Sequence, residues 1–258
     1  MTKFFSRDPK KRTLFDKINC QFAIHYFLKN ETIWNNFKEN INMYLRKGGD
    51  IMITTFDAQS IIDALKDKER YTVNYTDRDG NSKILFEIVK RYGDLLSDKS
   101  GKNSLIKTGE PIDVYAAWMF TEGNYVTEYL VDKNFLTEDL LKSCDLELID
   151  TDLFKNQYEI HREFFKNYYQ YEEIEKTREF FKHVSEYYED TDLNRATFKF
   201  TELTRYYIFR KRNDSTQKGG INISNNTEFS IADMKEYDNR YSYLSSIHNV
   251  LKTHKIIP

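Results

Sequence analysis

The stretch Leu14-Phe15-Asp16-Lys17-Ile18-Asn19-Cys20-Gln21-Phe22-Ala23-Ile24-His25-Tyr26-Phe27 constrains the fold more than any other. Phe15, Ile18, Cys20 and Phe22 make its first part a short apolar run, the pattern of a buried strand. The run ends in a polar cluster, Gln21, His25 and Tyr26, where an ordinary turn would place glycine or proline. In an open α/β sheet, ligands sit beyond the carboxyl ends of the strands. A His-Tyr pair just past such an end therefore stands where a site would be. The same residues also fit a core strand followed by an amphipathic segment, with His25 a satisfied interior histidine.

Residues 31–65 repeat a strand-helix grammar. Residues 31–45 carry Ile33, Trp34, Phe37, Ile41, Tyr44 and Leu45 at helical spacing. Lys47-Gly48-Gly49-Asp50 reads as the stop of that helix, with glycine free to take a left-handed cap. Residues 51–55 predict a second short strand, and Asp57 the N-cap of a helix with Ile61, Ile62 and Leu65 on its inner face. Strand, helix, strand, helix implies a parallel sheet. Alternation at Tyr71, Val73, Tyr75 and then at Ile84, Phe86, Ile88, around a turn at 77–81, predicts a hairpin. Residues 95–108 read as an exposed loop and 111–120 as a strand. Thr137 is the expected cap of a helix starting there, and 144–150 a strand. Two aromatic-rich helices are expected at 152–169 and 172–188, and residues 198–209 carry Phe198, Phe200, Tyr206, Tyr207, Ile208 and Phe209, a run that is similar to the closing strand of a family named below.

Bulk properties set the class. With 258 residues the chain suffices for one large domain or two small ones. Charged residues make up 31% and mean hydropathy is −0.72, the profile of a soluble protein. No run approaches the ~18–20 apolar residues of a membrane span, and the first twelve residues lack the apolar core of a secretory signal. Two cysteines, Cys20 and Cys144, make neither a disulfide framework nor a zinc site, and suit a reducing compartment. A net charge of −2 does not announce a nucleic-acid binder. Basic clusters at 10–12 and 210–212, and acidic ones at 171–175 and 186–190, read as solvated faces.

The wording of several segments goes further. Cys20-Gln21-Phe22-Ala23-Ile24-His25-Tyr26-Phe27 resembles the CQFxxHY signature of the mRNA cap guanine-N7 methyltransferases. Gly48-Gly49-Asp50-Ile51-Met52-Ile53-Thr54-Thr55-Phe56-Asp57 resembles that family's PGGxFIGTTPD segment. Thr127-Glu128-Tyr129-Leu130-Val131 resembles its PEFLV or EYLV segment, and Phe209-Arg210-Lys211 its last strand. The four matches occur in order over residues 14–211, and the tail is similar to those of capping enzymes from large DNA viruses. The resemblance implies an α/β fold, a partial class I (Rossmann-like) S-adenosylmethionine-dependent methyltransferase sheet with a hairpin insertion and flanking helices. Residues 1–13 would be a basic arm, 14–212 the C-terminal portion of the methyltransferase domain, 213–236 a linker and 237–258 a tail helix.

By the same resemblance the activity is methyl transfer from S-adenosylmethionine to N7 of the 5′ cap guanosine. Gln21 and Tyr26 would line the cofactor side. Phe22, His25, Tyr26, Glu128 and Tyr206 would form the cap pocket. Guanine N7 has a free lone pair at neutral pH, so such a site needs shape and hydrogen-bond readers, with no catalytic residue and no metal. Partners would be 5′-capped RNA and an upstream methyltransferase half or other capping-enzyme domains or subunit, with no membrane. The setting would be cytoplasmic (a viral factory or virion) for a viral protein and nuclear for a cellular one. Two departures stand out. Phe56 replaces the proline of the family segment, and none of the nine glycines forms a G-x-G turn before Phe15. The chain thus reads as the downstream, cap-binding part of a longer enzyme. A non-catalytic, methyltransferase-like stimulatory subunit and an α/β interaction module remain as alternatives.

Overall fold

A computed structural model describes residues 13–77, 79–93 and 107–213. The basic arm up to residue 12, the 95–108 loop but for its last two residues, the linker beyond 213 and the tail helix lie outside the described residues. No helix among the described residues is long and apolar enough to cross a membrane.

The fold is mixed α/β, built on two sheets of four strands, each with its own core. The first sheet runs β1 (Phe15–Gln21), β2 (Leu45–Phe56), β8 (Thr204–Lys211), β7 (Leu146–Leu153). β1 and β2 are parallel, and β8 is inserted antiparallel to both β2 and β7. Cys20, Ile53 and Tyr207 are register partners facing one side. There α2 (Glu31–Tyr44) contributes Trp34 and Ile41, and α4 (Lys133–Cys144) contributes Leu136 and Leu140. Ile51, Ile53, Tyr207 and Phe209 are completely buried beneath them, each aliphatic contributing about 1.5–3 kcal/mol. Trp34 Nε1 and Lys38 Nζ both donate to Asp139, at 2.7 Å each, and so fasten α2 to α4.

The second sheet is the antiparallel meander β3 (Arg70–Thr76), β4 (Ser82–Lys90), β5 (Pro111–Ala116), β6 (Val126–Tyr129). It is the hairpin insertion expected from the alternation at Tyr71 and Ile84. Its inner face packs on α3 (Ala58–Leu65) and on Phe200 of α7 (Asp192–Thr201). The expected N-cap holds at α3, where the Asp57 carboxylate accepts from the Ser60 N–H at 3.1 Å. Asp57 also pairs with Arg205 of β8 at 2.6 Å, both side chains being largely buried.

The strand expected at 111–120 ends at Ala116, and four other expectations need correction. The 47–50 segment does not cap α2. The helix runs directly into β2, and its terminal carbonyls at Ile41, Asn42 and Leu45 are taken by the Lys211 ammonium at 3.4, 3.2 and 3.1 Å. Gly48, at φ 70, instead lies in β2 where the pairing with β1 shifts register. Gly49 is required by close approach, since a Cβ there would sit 2.9 Å from the Asp16 carbonyl oxygen. Thr137 does not cap a helix. α4 starts a turn earlier because the Asp132 carboxylate accepts from the Phe135 N–H at 2.8 Å, leaving Thr137 in mid-helix. The span 198–209 is strand only from Thr204. Thr191 caps α7 by accepting from the Asn194 N–H, and Phe198 and Phe200 lie on that helix. The helices at 152–169 and 172–188 are shorter than expected, α5 (Phe154–Asn167) and α6 (Glu175–Glu186), with a 3-10 turn between them.

Candidate functional site

The site begins where β1 ends. Phe22 sits at φ 46, in the left-handed region that a side-chain-bearing residue avoids. Its N–H donates to the Thr54 carbonyl at 2.8 Å, which pins the kink to β2. The kink turns the chain into the single-turn helix α1 (Ile24–Phe27), with Ile24 fully buried and His25 only 3% exposed. The segment stays in place because the Gly109 N–H donates to the Leu28 carbonyl at 2.8 Å, and the Leu130 N–H to that of Glu110 at 2.9 Å. These bonds bring α1 of the first sheet against β6 of the second.

His25 Nε2 and Glu128 Oε2 meet there at 3.5 Å, with side-chain exposures of 3% and 11%. That separation is too long for a good hydrogen bond. Among the described residues neither His25 nitrogen, nor Glu128 Oε2, has a hydrogen-bond partner. Burial pushes the imidazole down to about 4 and the carboxyl up to about 7. At neutral pH the pair is a neutral imidazole beside a carboxyl group poised between its two forms, and not an ion pair. Orphaned buried polar atoms cost about 1–3 kcal/mol each. A ligand that supplied their partners would recover much of that. Tyr26 is 41% exposed, and its ring lies 4.1 Å from that of His25. Burial raises the Tyr26 hydroxyl, and the charge of Glu128 raises it further, so Tyr26 is within the field of the carboxylate.

Gln21 and Tyr206 form a second group. Gln21, Thr54 and Tyr206 are register partners across β1, β2 and β8, on the sheet face opposite the α2 and α4 core. The Thr54 hydroxyl donates to Gln21 Oε1, and the Gln21 amide donates to Asn19 Oδ1. The Tyr206 hydroxyl donates to Asp150 at 3.0 Å. Phe22 is 40% exposed, and its ring lies 6.1 Å from Phe200. The structure therefore joins His25, Tyr26 and Glu128, sets Gln21 with Tyr206 along one row, and directs Phe22 toward α7. Thr54 and Phe200 were not singled out from the sequence. The threonine pair in residues 51–57 signalled the first, but nothing signalled the second.

For S-adenosylmethionine the fit is partial. Gln21 ends β1 with its amide oxygen held by the Thr54 hydroxyl, and Tyr26 lies exposed on α1 beyond it. Among the described residues no G-x-G turn occurs, and no group of three His, Cys, Asp or Glu side chains could hold a metal.

No family model matches the chain. It is 39% identical over 208 residues to the "Probable mRNA-capping enzyme" of Acanthamoeba polyphaga mimivirus, a match covering 76% of this chain and 17% of the viral protein. It is 29% identical over 152 residues to mRNA cap guanine-N(7) methyltransferase 1 of Arabidopsis thaliana, covering 59% of this chain and 36% of the plant protein. Among solved structures, an S-adenosylmethionine-dependent methyltransferase from Clostridium acetobutylicum is 12% identical, covering 78% of this chain and 60% of that one, at a TM-score of 0.37, too distant to bear on the fold. The chain spans well under half the length of either curated relative it matches.

Proposed function

We propose that this chain, a homologue of part of the mRNA-capping enzymes and of a cap guanine-N7 methyltransferase, is the cap-facing half of an mRNA cap guanine-N7 methyltransferase. The observation that carries the reading is the buried, unpartnered His25–Glu128 pair at the junction of the two sheets. A carboxylate matches the adjacent N1–H and 2-amino donors of guanine, giving two charge-assisted hydrogen bonds. Glu128 is the residue of that chemistry. His25 and Tyr26 abut the base, Phe22 supports the pocket, and Tyr206 is the aromatic of the closing strand. Two donated hydrogen bonds favour the ionised carboxyl, so guanine would drive Glu128 from its poised state to the anion. The N7-methylated product carries positive charge, which the same anion accommodates.

Gln21 and Tyr26 would line the wall toward S-adenosylmethionine, which when bound supplies a methyl group from its sulfonium. N7 needs no deprotonation before attack. The chain's own contribution is then to fix the guanine in orientation and to exclude water. The remainder of the cofactor site would come from an upstream methyltransferase half or other capping-enzyme domains or subunit, with 5′-capped RNA as substrate. One observation favours a second reading, a non-catalytic stimulatory subunit. β1 stands at the end of its sheet order, and the described residues hold only one wall for the cofactor.

The deciding assay is transfer of labelled methyl from S-adenosylmethionine to capped RNA, with this chain alone and with the upstream region of a longer relative supplied in trans. Activity in the mixture that is lost with His25→Ala and Glu128→Ala supports the enzyme. Stimulation of a complete methyltransferase that survives both substitutions supports the subunit and refutes the enzymatic role.

A further inference from the structure

Two large aromatic side chains, those of Phe22 and Trp118, are left outside both cores. Trp118 is 53% exposed and Phe22 40%. They come from unrelated elements, Phe22 from the kink after β1 and Trp118 from the turn after β5. That turn is fixed by Met119 and Phe120 N–H groups donating to the Ala116 carbonyl at 3.0 and 2.9 Å. Both side chains nevertheless lean on one ring. Phe200 lies 6.1 Å from Phe22 and 5.1 Å from Trp118, the latter in an edge-to-face arrangement at 85°. Phe200 is itself wedged by Phe56 at 5.0 Å and Phe86 at 5.5 Å. The two exposed rings are thus propped from behind on a rigid core ring.

Neither feature is explained by packing. Leaving an indole in water forgoes roughly 2 kcal/mol or more of burial. Holding a phenylalanine in the left-handed region costs about 1–2 kcal/mol. Both costs fall on rings that meet at Phe200, and Phe22 is three residues along the chain from His25. Rigid, solvent-facing aromatic rings are what an unstacked nucleobase packs against, whatever its identity.

We infer that Trp118 and Phe22, propped on Phe200, form a stacking shelf for the base of the nucleotide next to the cap guanosine. The inference rests on the cap reading of the His25–Glu128 pocket. With guanine at Glu128, the triphosphate bridge carries the next nucleotide out of the pocket and onto the shelf.

Tryptophan fluorescence tests this on the intact chain, because the other tryptophan, Trp34, is only 1% exposed and remote from solvent ligands. The probes are GTP and the dinucleotide GpppA. The shelf requires that GpppA quench the emission and bind more tightly than GTP. Trp118→Ala should lose the quench, and titration calorimetry should show GpppA weakened by roughly tenfold while GTP changes by less than about twofold. Trp118→Phe, which keeps a stacking face, should retain most of the GpppA affinity. Equal weakening of GTP and GpppA, or no weakening of either, overturns the shelf while leaving the guanine pocket standing. Wild-type protein that binds neither ligand overturns both the shelf and the cap reading.

Discussion

Glu128→Gln should make the protein more stable at alkaline pH. Burial raises the Glu128 carboxyl from 4.5 to about 7. Below 4.5 the folded and unfolded chains both carry the proton, and burial costs nothing through ionisation. Between 4.5 and 7 the unfolded chain ionises and the folded one does not, so stability falls as pH rises. Above 7 both are ionised, and the full cost remains. A shift of that size corresponds to about 3 kcal/mol, taken as an upper figure because the side chain keeps 11% exposure. His25 works in the opposite sense. Its folded value, lowered from 6.5 to about 4, makes its cost appear as pH falls through that window. The histidine is present in both proteins, so it cancels to first order when they are compared. Urea unfolding of the two proteins at pH 5 and at pH 8 isolates the carboxyl. The stability difference in favour of glutamine should be larger at pH 8 than at pH 5 by about 2 kcal/mol, whatever constant effect the amide introduces. The same difference at both pH values would mean that Glu128 ionises normally, and the account of a poised carboxyl would be wrong.

Three further substitutions probe the scaffold. Asp57→Ala removes the α3 cap and strands Arg205 in a largely buried position, so it should cost about 3–5 kcal/mol in urea unfolding, while Asp57→Asn, which keeps the cap, should cost less. Gly49→Ala drives a methyl group to 2.7 Å from Leu45 Cδ1 and 2.9 Å from the Asp16 carbonyl oxygen, and thermal melts should show a loss of about 1–3 kcal/mol. Lys211→Met strips the ammonium from the carbonyls ending α2 and should cost about 1–3 kcal/mol, with hydrogen exchange rising first in the last turn of that helix.

How much of the fold and the site was legible depends on whether cause and consequence lie near each other in the chain. Gln21, His25 and Tyr26 were legible because a strand, its kink and the next turn are consecutive residues. Asp57 was legible as a cap because the N–H it accepts from lies only three residues ahead. The end of α2 was misread because the group that caps it, Lys211, arrives from the last strand, which frees Gly48 and Gly49 to sit inside β2. Thr137 was misread because Asp132 offers the same capping chemistry one turn earlier. The aromatics at 198 and 200 alternate as strand residues do, yet Thr191 starts a helix ahead of them. The row of Gln21, Thr54 and Tyr206 arises from an antiparallel insertion that no local pattern announces. Glu128 was singled out by the wording around it, but its meeting with His25 depends on two sheets packing together, and the support that Phe200 lends to Phe22 and Trp118 depends on α7.

The inserted last strand also orders events in time. β2 carries Thr54, whose carbonyl holds the Phe22 kink, yet one side of β2 stays unpaired until residues 204–210 exist to cover it. Tyr207 and Phe209 fill the centre of the core between α2 and α4. A ribosome delivering this chain therefore completes the site-forming strands only after nearly all the intervening helices have emerged. Closing so long a loop is slow, and the loop entropy must be lost before the pairing compensates it. During that interval the edge of β2 is a template for other strands, which makes β8 the segment whose truncation should convert a soluble product into an aggregating one.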